Sequence, residues 1–176
     1  MIVRPLLAAG ALLLCAHWGL EGCHRGRKSD ATQGATPDSL IGVVSVTGTS
    51  FEKRLTLRTG DGARTGSAKL TLTLSATPAD SSAISRLGGA EIVVRGSRDG
   101  TRFRVANFAV LRIDGAPVTD GVVLRDGRRL ALQAARGRVD LGNPPPALRA
   151  MIGARVWVGG PLDTGPNTYG VIVPSP

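Results

Sequence analysis

The chain has 176 residues, room for one ordinary domain or two small ones. Lys and Arg number 22 against 13 Asp and Glu, and the resulting +9 favours anionic partners over neutral ones, although a compositional bias of the source would also raise the arginine content. Aromatic residues make up 3%, which argues against a surface built to stack nucleic-acid bases.

At the amino terminus, Met1–Arg4 carries one positive charge and Pro5–Leu20 (PLLAAGALLLCAHWGL) is an uncharged, mostly apolar run. The run is short for a membrane span and is followed at once by Glu21, His24, Arg25 and Arg27, which is the pattern of an export signal over 1–22. Leu20-Glu21-Gly22-Cys23 resembles the lipobox of bacterial lipoproteins, with Leu20, Gly22 and Cys23 on the pattern and Glu21 off it. That resemblance implies lipidation at Cys23 and a membrane reached through the lipid anchor. It places the protein outside the cytoplasm, at the bacterial envelope, in the periplasm or on the outer membrane. Secretion past an ordinary cleavage site and a retained signal anchor are the alternatives.

With Cys15 in the signal and Cys23 at its end, the folded part has no cysteine for a disulfide and must stand on its core. The polar stretch 23–39 reads as a flexible tether with a root-mean-square reach of roughly 20–24 Å.

From Leu40 the pattern is strands and tight turns. Ile41–Val46 opens. In Arg54-Leu55-Thr56-Leu57-Arg58 the leucines take one face and the polar residues the other, and Lys69–Ser75 (KLTLTLS) repeats the alternation. A polar stretch, with Asp80, Ser81 or Ser82 as the expected N-cap, leads into a helical turn at Ile84 and Leu87. The strand Glu91–Arg95, a turn at Ser97–Gly100 and the long strand Arg102–Ile113 follow. Three strands, a short helix and two strands resemble the OB-fold, which implies a small OB-like antiparallel barrel over 40–115 with its helix between strands 3 and 4.

Residues 116–176 form a second, shorter unit. Strands are expected at Gly121–Leu124, Arg129–Leu132, Ala154–Gly159 and Tyr169–Val173, with Asp114-Gly115, Asp120-Gly121 and Asp126-Gly127 as turns and no clean third strand between Ala134 and Asn143. Pro144–Pro146 hands over to a helical turn. ISRLGGAEIVVRG at Ile84–Gly96 returns 64 residues later as LRAMIGARVWVGG, so the unit is either a degenerate second barrel or an extension of the first sheet. A core shared by the two halves is expected, because some sixty residues are marginal alone. The fold class is all-β.

The only histidines are His17 in the signal and His24 in the tether, so the folded region offers no thiol nucleophile, no imidazole base and no usual zinc or copper site. The five Asp-Gly pairs read as turns, and the acidic residues lack the alternating positions of a calcium loop. Ser67-Ala68-Lys69 and the Gly-Gly pairs miss the spacings of serine hydrolases and nucleotide loops. No enzyme activity, metal or cofactor is expected, and a carboxylate-dependent hydrolase is the weaker alternative.

For binding, alternation puts Arg102 and Arg104 on one face, with Arg95, Arg98 and Arg112 near in sequence as one basic surface; a plain solvated face is the alternative. Trp157 is an aromatic contact residue, either a stacking platform or a plug between the halves. The expected function is a non-enzymatic, envelope-associated binding or structural module. An OB-type binder of an anionic polymer or nucleic acid through the arginine face is the alternative reading, and a protein partner is a further possibility.

Overall fold

Period-two alternation governs the first half of the computed structural model, which describes residues 38–49, 52–60 and 69–176. The expected signal, Cys23 and the expected tether as far as residue 37 lie outside the described residues, whereas Asp38 and Ser39, read as the end of the tether, are already strand. β1 (Asp38–Gly48), β2 (Lys53–Thr59) and β3 (Leu70–Ser75) form an antiparallel meander, β4 (Glu91–Asp99) returns to β1, and β5 (Arg102–Ile113) pairs with β4. A parallel contact of β3 with β5, Thr73 opposite Arg102 through Ser75 opposite Arg104, closes the ring into a five-stranded OB-like barrel. Leu55, Leu57, Leu72, Ile92, Val94 and Phe103 all point inward and are buried, because a closed barrel this small is filled by its own side chains.

The end of the barrel is plugged by α1 (Pro78–Ser85), which buries Ala83 and Ile84, and by Leu87 in the turn after it. Thr77, not the expected Asp80, Ser81 or Ser82, is the N-cap. Its Oγ1 accepts from the Asp80 amide at 3.1 Å and donates to the Asp80 carboxylate at 2.8 Å, while Pro78 takes the first helical position, where a missing N–H costs nothing. β4 runs on to Asp99, so the turn expected at Ser97–Gly100 is confined to Gly100 and Thr101.

The second unit repeats the order. β6 (Ala116–Asp126), β7 (Arg129–Ala134) and β8 (Gly137–Leu141) are a meander, α2 (Pro146–Arg149) follows, β9 (Arg155–Gly159) pairs with β6, and β10 (Thr168–Val173) with β9. The correspondence reaches single hydrogen bonds: Val44 exchanges backbone bonds with Gly89 and Ala90, and Val123 does the same with Gly153 and Ala154. It also reaches the bulges. Glu91 and Ile92 face Arg112 and Val110, and Arg155 and Val156 face Val173 and Val171, so each partner strand carries one extra residue at the same place.

Two sequence expectations fail here. A third strand does exist between Ala134 and Asn143, namely β8. Asp120-Gly121 is no turn but lies inside β6, where Gly121 is required because a Cβ would stand 2.5 Å from the Gln133 carbonyl oxygen on β7.

The units join at the β5–β6 hairpin, whose turn residues Asp114 and Gly115 both have positive φ, 49° and 79°, the geometry that matches strand twist. Each unit keeps its own core, contrary to the expectation of a shared one. Val123, Leu132, Leu141, Leu148, Val156 and Val158 form the second cluster, while Ile172, the bulge residue of β10, crosses over and is buried in the first. Closure also differs. β10 and β8 do not pair; the loop between β9 and β10 fills the gap, with the Gly142 amide donating to the Leu162 carbonyl at 2.8 Å.

Candidate functional site

Strand alternation that buries the leucines of β2 and β3 turns Arg54, Thr56, Arg58, Thr71, Thr73 and Ser75 outward. The ladder registers align these with the predicted arginines. One row runs Ser45, Thr56, Thr73, Arg102 and Asp99 across four strand pairings, and the next carries Ser75, Arg104 and Ser97. Arg95 follows on β4, opposite Asn107 and on the same face. The result is a hydroxyl surface studded with exposed guanidinium groups, with Asp99 as the carboxylate at its margin. At the barrel mouth it continues into a groove of about 360 Å³ lined by Glu52, Lys53, Arg54, Thr73, Ser81 and Ser82, where one carboxylate offsets one of the two cations.

The other two predicted arginines are placed differently. Arg98 lies opposite Phe103, on the other face of β4, and its Nε donates back to the Gly100 carbonyl at 2.9 Å. Arg112 shares the outer face but is ion-paired with Glu91 at 3.2 Å and stands beyond the apolar row Val93 and Ala109. Arg54 and Arg58 escaped notice as site residues, although the alternation of RLTLR already put them outward.

A second feature was not foreseen at all. Where the units meet, Arg155 of β9 donates from Nε and Nη2 to both oxygens of Asp120, at 2.8 and 2.6 Å, and from Nη2 to the Phe108 carbonyl at 2.6 Å. Its guanidinium lies 4.3 Å from the centroid of the Phe108 ring, and Asp120 accepts in addition from the Val110 amide at 3.0 Å. Asp120, with its side chain only 6% exposed, is thus satisfied by three donors from two elements.

Trp157 is half-buried, packs against the core cluster of the first barrel and covers Gly170, where an added Cβ would stand 2.6 Å from the indole. Among the described residues no three of His, Cys, Asp and Glu are grouped to hold a metal, and no helix is long and apolar enough to cross a membrane. Compared with known proteins, the chain matches no family model, no curated protein and no solved structure.

Proposed function

We propose that this protein is a non-enzymatic binding module of the bacterial envelope, anchored through a lipid on Cys23, whose outer arginine face holds an anionic polymer. The observation that supports this reading is the cross-strand alignment of Arg102 and Arg104 with Arg54, Arg58 and the threonines of β2 and β3 on one exposed surface. Guanidinium groups grip phosphate, sulfate or carboxylate through two parallel bonds, and neighbouring hydroxyls complete such contacts. No aromatic side chain stands in these rows, so the face favours a charged polymer without bases over a single-stranded nucleic acid.

Retention on immobilised heparin in a salt gradient tests the polymer part. Each lost contact takes about 0.7–0.9 off the salt slope, so Arg102→Ala/Arg104→Ala should lower it by about twice that, whereas Arg112→Ala, already paired with Glu91, should change it least. Equal losses at all three positions would mean that the charge acts only as background. Cys23→Ala should move the protein from the membrane to the soluble fraction, and unchanged fractionation would remove the anchor from the reading.

A further inference from the structure

Beside the polymer face, and sharing only its marginal Arg95 and Asn107, a cleft of about 270 Å³ opens between the two units. One wall is the outer face of β4 and β5, with Val93 opposite Ala109; the other is β6 and β7, with Val122 opposite Gln133. The apolar row does not stop at the cleft. Val93 is also opposite Ile41, which is 53% exposed, so an aliphatic track of Ile41, Val93 and Ala109 leads in from solvent. Polar groups line both walls: Arg95 and Asn107 face each other across β4 and β5, and the Gln133 amide stands on the opposite wall.

The charges within the cleft are uneven. Asp120 is matched by Arg155 on the floor, and Arg95 has no ion-pair partner among the described residues, so the cleft carries one net positive charge. Arg155 uses Nε and Nη2 for Asp120 and Phe108, and its Nη1 makes no hydrogen bond to the described protein. Concave sites at the junction of two units, mostly apolar with a few convergent polar groups, are where small ligands bind. An exposed aliphatic track that ends at a lone cation calls for an amphiphile whose head is an anion. The volume equals that of about nine waters, room for an anionic head and the start of a short chain that continues along the open track.

From this geometry we infer that the cleft binds a small aliphatic monocarboxylate, its chain along Ile41, Val93 and Ala109 and its carboxylate between Arg95, Asn107 and Gln133. Isothermal titration of the full chain with octanoate, and with 1-octanol as its uncharged counterpart, tests this. Octanoate should saturate at one per chain, with 1-octanol at least tenfold weaker. Arg95→Gln should weaken octanoate about tenfold, and Ala109→Trp, checked by its thermal melt to be folded, should abolish binding by filling the cleft. Arg102→Ala/Arg104→Ala should leave the titration unchanged, which separates this site from the polymer face. Absence of saturation, equal binding of the alcohol, or octanoate uptake that survives Ala109→Trp would each overturn the inference.

Discussion

Asp120 carries more of the architecture than any other charged residue described. Its carboxylate ties the amide of Val110 in the first barrel to the guanidinium of Arg155 in the second, and Arg155 in turn holds the Phe108 carbonyl. Removing one member of a paired, desolvated set leaves the other uncompensated, at a cost of about 3–5 kcal/mol when burial is complete. Arg155 keeps 26% of its side chain exposed, so Asp120→Ala should cost about 3 kcal/mol, the low end of that range, and Asp120→Asn less, since an amide oxygen can still accept from Val110. Urea denaturation measures both; an unchanged midpoint for Asp120→Ala would show that the pair contributes nothing net. The sequence made this residue look like one more hairpin turn, because Asp-Gly is the common turn dipeptide. What makes it different lies 35 residues away at Arg155, and no local pattern announces a partner at that distance. By contrast, the outward setting of Arg102 and Arg104 was legible from alternation alone, whereas the curl of Arg98 onto Gly100 was not, since it depends on where β4 ends.

Among the elements, α1 shows how a short helix is stabilised by what it covers. Eight residues are too few to be helical in isolation, so the turn is held by Thr77 and Asp80 at its start and by the burial of Ile84 at the barrel end. Ile84→Ala should cost about 2–5 kcal/mol and Thr77→Ala about 1 kcal/mol, read from thermal or urea midpoints. The two apolar residues of this turn were visible in the sequence at their helical spacing; the cap was not, because Pro78 moves the start several residues upstream of them. β8 was missed for another reason. Gly137-Arg138-Val139-Asp140-Leu141 alternates, but it is five residues long and carries two charges and a single β-branched side chain. It is an edge strand, paired only with β7, whereas β3 is paired on both sides. Amide exchange should therefore proceed faster in β8 than in β3, and equal protection would show that the loop between β9 and β10 seals the edge as well as a strand does.

For the molecule as a whole, the order of strands and helix was readable because it rests on two periodicities and on glycine placement, which local sequence carries. Closure was not readable. The first barrel shuts because β5 starts well before Asn107, so that Arg102–Arg104 pair with β3 on one side and, like the latter part Asn107–Arg112, with β4 on the other. β10, starting at Thr168, matches only that latter part of β5 and leaves β8 without a parallel partner. The separation into two cores follows from the same difference, since each meander buries its own inward face; of the second unit, the bulge residue Ile172 is buried in the first core, and Val118 and Trp157 pack against it.

The shared registers and bulges also carry a history. Gly42 and Gly121 lie under the same kind of close strand contact, each against a leucine and a carbonyl of the next strand, and the chain from Ile84 to Gly96 maps onto Leu148 to Gly160 without insertion or deletion. The connections between matched strands are unequal: residues 60–69 separate β2 from β3, but 135–136 suffice between β7 and β8, and the opposite holds for 100–101 against 160–167. Matching registers joined by unequal loops are the pattern that a tandem duplication with separate loop editing would leave behind. On that account the cleft beneath Arg95 would be a consequence of joining two like units end to end, present wherever the outer face of one sheet meets the start of the next.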